Sequence, residues 1–294
     1  MNKKALCWIN NSIVPADQAC VSVFDHGLLY GDGVFEGIRF YRGKAFMLET
    51  HLQRLLESAD AIDLTLPFTL PEIEQAIVDL IEQFDGDKGY LRLVVTRGVG
   101  NLGIDPRKCP QATMFIIADQ LSVMHQPNLD DGIRLHIAKT RQIPAQCLDP
   151  KIKSLNYLNN ILARIEANAA GMDEALLLNT EGFVSEGSVD NIFMVKDGCL
   201  YTPPVSDGLL VGVTRGIILE IARQSGIECF QRSLTVDDLL AANECFLTGT
   251  GAELIRVGQI GEQVLPKLLQ PRQQSLLPSF MCEFRLTIDR YCQA

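Results

Sequence analysis

Nowhere in the chain do apolar residues run together for the ~18 positions that a membrane-spanning helix needs. The first apolar stretch, Ala5 to Ile9, is also too short for a secretory leader. No Cys-x-x-C pair occurs. The nine cysteines stand at 7, 20, 109, 147, 199, 229, 245, 282 and 292, an odd number at irregular spacing. Neither a disulfide framework nor a zinc knuckle is expected from them, and free thiols point to a reducing compartment, the cytoplasm. Basic clusters are missing as well. Lys3-Lys4 is the one early pair, and 26 basic against 36 acidic residues leave a net charge of −10. Such a surface repels phosphate backbones, so neither nucleic acid nor a membrane is an expected partner. With 47% hydrophobic and 21% charged residues the chain is too apolar to stay disordered. Its 294 residues fit about two domains at the usual ~150 residues each.

What is present is a mixture of strand and helix periods. Leu6–Ile9 and Phe35–Tyr41 read as strands, and Arg42-Gly43 is a tight turn. Leu48, Leu52, Leu55, Leu56, Ala59 and Ile62 follow a helical period, with Thr50 as an expected N-cap. A second helix is expected from Pro71 to Phe84. Tyr90–Thr96 and Ala112–Ala118 are rich in β-branched residues, and a glycine-rich loop, Arg97 to Pro106, separates them. Residues 121–132 have linker composition, which predicts a small N-terminal domain over 1–120 and a larger C-terminal domain over 133–294. In the second domain a strand (Ile133–Ala138) precedes a helix (Asn156–Gly171), then strands at 175–179, 192–195 and 199–201, a helix from Gly212 to near Gly226, and the strand Cys245–Leu247. Short turns join most strands, which favours α+β architecture over a doubly wound sheet.

Four segments can carry chemistry. In Lys151-Ile-Lys153-Ser-Leu-Asn-Tyr157 a lysine precedes a helix among apolar and amide residues, and desolvation there makes an amine nucleophilic. In Ser185-Glu186-Gly187 a carboxylate sits in a turn between strands, where it can hold a proton on a ring nitrogen. Gly212-Val213-Thr214 opens a helix and Thr248-Gly-Thr250-Gly251 forms a small-residue nest, both suited to anions, with Arg54 as a fixed charge. Tyr30-Gly-Asp-Gly-Val-Phe35-Glu36-Gly37-Ile38-Arg39 runs a glycine-rich turn into a strand bearing aromatic and cationic residues.

In this order, over about residues 5–260, these segments resemble the fold-type IV family of pyridoxal-phosphate enzymes. That family comprises branched-chain aminotransferases, D-amino-acid aminotransferases and aminodeoxychorismate lyases. The resemblance implies a two-domain α+β fold of the D-amino-acid-aminotransferase type, with pyridoxal 5'-phosphate between the domains and most of its contacts in the C-terminal one. Lys153 matches the Schiff-base lysine, with Lys151 a worse-spaced competitor. Tyr157 matches the residue bonded to the phenolic oxygen, Glu186 the partner of the pyridine nitrogen, and Leu210 the apolar residue on one ring face. Arg54, Val213, Thr214 and Thr250 match the phosphate contacts. The implied reaction is a ping-pong transamination, with Lys153 moving the Cα proton.

Tyr30, Phe35, Gly37 and Arg39, with Tyr90 and Arg92, look most like the branched-chain type. Lyases usually carry threonine at the position of Gly37, and D-specific enzymes carry tyrosine and lysine at those of Phe35 and Arg39. Aromatic Tyr30 and Phe35 suit an apolar side chain, while Arg92 or Arg39 can pair with the second carboxylate of glutamate or 2-oxoglutarate. Thr250-Gly251 is matched to the α-carboxylate. Arg97 resembles the carboxylate-binding arginine of the D-specific enzymes, although the histidine that follows it there is absent. Family members are dimers, so a homodimer or larger homo-oligomer is implied, with the Arg97–Pro106 loop as the cross-subunit element. The resemblance lapses over 263–282, which holds no Gly, Asp or Glu and has prolines at 266, 271 and 278. A poorly ordered stretch in place of a final amphipathic helix is expected there, from local divergence or from a compensated reading-frame error.

Overall fold

The computed structural model describes residues 5–120, 131–267 and 275–293. Positions 121–130 of the expected linker lie outside them. The chain divides into two units. The first holds residues 1–122, 152–156 and 290–294, and the second holds 123–151 and 157–289. The division is therefore not contiguous, whereas the sequence pattern suggested one unbroken domain over 133–294. The lysine segment and the last residues of the chain group with the N-terminal unit, through contacts that composition does not report.

The first unit contains β1 (Leu6–Ile9), β2 (Ser12–Pro15), α1 (His26–Tyr30), β3 (Gly33–Tyr41), β4 (Lys44–Ala45), α2 (Leu48–Asp60), α3 (Leu70–Gln83), β5 (Lys88–Thr96) and β6 (Thr113–Asp119). Its six strands form one antiparallel sheet in the order β2-β1-β6-β5-β3-β4. The β3–β4 hairpin turns at Arg42-Gly43, both at positive φ (52° and 73°), the geometry that a tight two-residue hairpin requires. Thr69 and Glu72 form a reciprocal capping box on α3, and Pro71 stands in its first turn. Expected cap Thr50 lies inside α2, which begins after Met47 at φ 54° with no side-chain cap. Leu48, Leu52, Leu55 and Ala59 of α2 and Ile73, Ile77 and Leu80 of α3 pack on Val34, Ile38, Phe40, Leu91 and Leu93. Each such fully buried large side chain contributes roughly 1.5–3 kcal/mol.

The second unit contains β7 (Ile133–Arg141), α4 (Leu158–Ala169), β8 (Glu174–Leu178), β9 (Val184–Gly187), β10 (Asn191–Lys196), β11 (Cys199–Thr202), α5 (Val213–Gln224), β12 (Cys229–Gln231), α6 (Val236–Leu240), β13 (Glu244–Gly249), β14 (Glu253–Ile260), β15 (Gln263–Val264) and most of α7 (Leu276–Gln293). Its mixed sheet runs β12-β11-β10-β13-β14-β7-β8-β9, with β15 beside β14.

The expected loss of the final helix is overturned. Helix α7 begins at Leu276 and carries Pro278 in its first turn, where the missing N–H has no intrahelical partner to lose. Both Glu244 carboxylate oxygens accept from its first amides, Leu276 and Leu277, at 2.9 Å. Phe280, Phe284 and Ile288 give it a buried face. Residues 268–274 of the divergent stretch are outside the described residues. In the first unit, the last turn of α7 sets the Tyr291 ring edge-on to Phe46 at 5.2 Å.

Candidate active site

In the first unit the site is built on β3, whose two faces are both buried. Val34, Ile38 and Phe40 point into the core, and Glu36 shares their parity. Phe35, Gly37 and Arg39 point the other way. Pairing with β5 sets Gly37 opposite Arg92 and Arg39 opposite Tyr90, so one face gathers an aromatic and cationic group. The Arg92 guanidinium lies 4.4 Å from the Phe35 ring centroid and 5.7 Å from that of Tyr90. Arg39 lies 5.2 Å over Tyr41. Burial pushes the Tyr90 phenol up, against the nearby Arg92 charge, so it remains a protonated donor. A Cβ at Gly37 would overlap the Tyr90 hydroxyl, so this position and Tyr90 determine each other.

The segment 153–155 adds to the edge of the same sheet. Phe35 N–H donates to the Lys153 carbonyl at 3.0 Å, Leu155 N–H to the Gly33 carbonyl at 2.9 Å, and Lys153 N–H to Ser58 Oγ of α2 at 3.1 Å. This fixes the backbone of Lys153 and places its Nζ 4.7 Å from the Phe35 ring centroid. Two basic side chains thus converge on one ring, each a half-buried cation–π contact of roughly 0.5–2 kcal/mol. Lys151 is different, being largely exposed and paired with Asp149 at 3.1 Å.

Arg54 belongs to a buried network that sequence reasoning missed. Its Nε and Nη2 donate to the two oxygens of Glu36 at 2.7 and 2.8 Å, and His51 Nδ1 lies 2.8 Å from Glu36. Burial opposes ionisation of Glu36, but the Arg54 charge and the hydrogen bonds from His51 and Arg54 outweigh it and hold the carboxyl down at about 2. Burial pushes His51 below the usual histidine range, against the pull of Glu36, and the Arg54 and Lys153 charges add to that. The available signal was an acid on the core parity of a strand, which a fold tolerates only when it is paired.

Tyr30 and Arg97 fall in another cluster. Tyr30 ends α1, stacks edge-on against His26, and its hydroxyl accepts from Gly103 N–H at 2.9 Å. Arg97 donates from Nε and Nη2 to both oxygens of Asp32 and from Nη1 and Nη2 to the carbonyls of Asp63 and Ile62. The guanidinium expected to meet substrate instead ties the glycine-rich loop to its own unit.

In the second unit the centre is Glu186 on β9. Gln142 Nε2 donates to it at 2.7 Å, Asn191 Nδ2 at 3.2 Å and Leu210 N–H at 3.1 Å. Leu210, expected to act through its side chain, meets Glu186 through its backbone N–H. Val213 and Thr214 open the twelve-residue helix α5 after Gly212, and a Cβ at Gly212 would overlap Asn191 Oδ1. Thr250 and Gly251 turn between β13 and β14, and Gly249 before them is pressed on Asp190. Tyr157 stands as the N-cap of α4. Thr248 Oγ1 and Arg215 Nε are buried with no hydrogen-bond partner among the described residues. Burial lowers the pKa of Arg215, which bonds the neutral Pro203 carbonyl and Gln231 side chain. Sequence reasoning missed Gln142, Asn191 and Arg215. For Gln142 no local signal exists.

The first unit offers a lysine and a carboxylate-paired arginine, and the second offers a carboxylate held by amide donors, a helix N-terminus, a glycine turn and orphaned buried donors; each set is of the chemistry that a phosphorylated, electron-accepting ring with an aldehyde calls for. No cluster of three or more metal-ligating side chains occurs among the described residues.

Comparison with known proteins agrees. Residues 33–260 match the model of the family described as amino-transferase class IV. A putative branched-chain-amino-acid aminotransferase of Methanocaldococcus jannaschii is 48% identical over 259 residues, 88% of each chain. The branched-chain aminotransferase of Thermoproteus uzoniensis, solved with norvaline, superposes with TM-score 0.87 at 34% identity, covering 97% of this chain and 96% of that one. The branched-chain amino acid aminotransferase of Thermobaculum terrenum, solved in its PLP-bound holo form, gives TM-score 0.83 at 30% identity, covering 100% and 95%.

Proposed function

Because the chain belongs to the class IV aminotransferases, we propose that its pyridoxal-phosphate-dependent transamination runs between branched-chain L-amino acids (Leu, Ile, Val) and 2-oxoglutarate, yielding the 2-oxo acid and L-glutamate. When bound, pyridoxal phosphate supplies an aldehyde carbon that takes the amino group and a ring that accepts the Cα electron pair. Lys153 Nζ removes the Cα proton and returns it, as base and then acid. Arg54, the Val213 and Thr214 amides and the Thr250 hydroxyl hold the phosphate. Glu186 accepts the proton-bearing ring nitrogen, Tyr157 donates to the phenolic oxygen, and Leu210 covers one ring face. The Thr250-Gly251 amides take the α-carboxylate. Phe35 and Tyr90 line the side-chain space, and Arg92 or Arg39 pairs with the second carboxylate of the acceptor.

The observation that carries this reading is the face of β3 and β5: an aromatic wall, an arginine stacked on it, and Gly37 covered by the Tyr90 hydroxyl. It weighs against the lyase, since threonine at 37 would collide with Tyr90. The use of Arg97 on Asp32 weighs against the D-specific alternative. With 2-oxoglutarate as acceptor, L-leucine should be converted with parallel double-reciprocal lines. Conversion of D-alanine alone, with L-leucine and L-glutamate inert, would overturn the substrate assignment.

The working unit is a homodimer or a larger homo-oligomer. Support comes from α4, where Leu158, Ile161, Leu162 and Ile165 recur at helical spacing yet stay 46–67% exposed, an apolar stripe suited to a second copy of this chain. Ile161→Glu with Ile165→Glu should sediment as a monomer. An unchanged mass would exclude this face. The free thiols of all nine cysteines fit the cytoplasm. No helix among the described residues is long and apolar enough to cross a membrane.

A further inference from the structure

We propose that Gln142 and Asn191 are positioning residues that hold the Glu186 carboxylate ionised and aimed at the ring nitrogen of the cofactor, an inference that rests on the reading of Glu186 above. Glu186 is 7% exposed. A carboxyl so placed takes up a proton unless donors compensate for the lost water. Two of its donors are neutral side-chain amides, Gln142 at 2.7 Å on Oε1 and Asn191 at 3.2 Å on Oε2. Neutral donors stabilise the anion without cancelling its charge, which stays available to a protonated ring nitrogen.

Both amides are themselves fixed. Ile143 N–H donates to Gln142 Oε1 at 3.1 Å, which forces Nε2 toward Glu186. The Gln142 backbone N–H is anchored on the Leu178 carbonyl at 2.9 Å. Asn191 Nδ2 also donates to the Leu210 carbonyl at 2.9 Å, while Leu210 N–H donates to Glu186 at 3.1 Å. Glu186, Asn191 and Leu210 thus close a ring of hydrogen bonds. Glycine at 212 lets the N-terminus of α5 approach Asn191 Oδ1, because any Cβ there would overlap it. One asparagine therefore links the carboxylate to the helix end proposed to hold the phosphate. The Arg215 guanidinium of α5 feels the Glu186 charge, and it bonds the neutral Pro203 carbonyl and Gln231 side chain.

The test uses the holoenzyme loaded with ring-15N pyridoxal phosphate. The nitrogen chemical shift reports whether the ring is protonated, and the cofactor dissociation constant is measured in parallel. In the parent protein the nitrogen should stay protonated between about pH 6 and 9. Gln142→Leu should release the proton within that range and weaken cofactor binding by roughly ten- to a hundredfold. Gln142→Glu, of the same shape, sets a second carboxylate against the first. The two then share a proton, so cofactor affinity should acquire a pH dependence that the parent lacks. Gln142→Glu carries the test if circular dichroism shows Gln142→Leu unfolded. Asn191→Ala should behave as Gln142→Leu. A protonated nitrogen with unchanged affinity at every pH in the Gln142 variants overturns the proposal. Glu186→Gln separates the two levels. If it too leaves the nitrogen protonated, the reading of Glu186 fails. If it releases the proton while the Gln142 variants do not, only the positioning role fails.

Discussion

Lys153→Ala is expected to lower kcat by at least ~10⁴-fold and to abolish the cofactor's visible absorbance at roughly 410–430 nm, while Lys151→Ala leaves both unchanged. The asymmetry follows from the backbone. Lys153 donates its N–H to Ser58 and accepts from Phe35, so both main-chain groups are anchored and only the side chain is left to move. Alanine keeps those main-chain bonds, so the variant should fold and the loss should be chemical. Lys151 is held by Asp149 at the surface and has no such neighbours. Lys153→Arg sharpens the test. It keeps the positive charge over Phe35 but cannot shed a proton, and so should be as inactive as the alanine variant. Retained absorbance in Lys153→Ala together with its loss in Lys151→Ala would transfer the role to the other lysine.

How far this was legible in the sequence depends on the range of the interaction. The turn at Arg42-Gly43, the period of α2 and α3, and the strand register implied by alternating Phe35, Gly37 and Arg39 are local, and the pattern discloses them. Lys153, Glu186 and Arg54 stand out in the sequence because motifs surround them in order. The addition of 153–155 to the edge of β3 joins residues about 120 positions apart, and no periodicity encodes that. The bonds of Arg97 to Asp32, Ile62 and Asp63 are hidden for the same reason, since these residues reach it from distant segments. Three prolines argue against the final helix by local rules, yet Pro278 occupies a first-turn position and Glu244 supplies the cap from a distant strand. Glu36 was visible in principle, as a lone charge on the apolar parity Val34, Ile38, Phe40, but its partners on α2 had to be seen in three dimensions.

That buried acid carries the second large effect. Glu36→Gln should destabilise the protein by about 3–5 kcal/mol, a melting shift on the order of 10 °C, because it removes the charge against which the Arg54 guanidinium is held. The pH dependence gives the sign independently. The Glu36 carboxyl titrates at about 2 in the folded chain against an ordinary 4.5. Between those values the unfolded chain binds a proton that the folded chain does not, so stability present above pH 4.5 is lost as the pH falls toward 2. His51 acts in the same direction over a higher window. Its pKa is lowered on folding, so acid below its ordinary 6.5 also favours the unfolded state. The parent protein should therefore weaken from below neutrality, with a second loss in the carboxylate range. Glu36→Gln should start weaker and lack that second loss. Denaturant titrations of both proteins from pH 7 down, with and without pyridoxal phosphate, measure this. Glutamine can still accept a hydrogen bond from Arg54, so a variant with the parent's stability and acid profile would mean that orientation, not charge, is what Glu36 contributes. The two proteins' curves should instead converge as the pH falls, because protonated Glu36 has then lost the charge that glutamine never had.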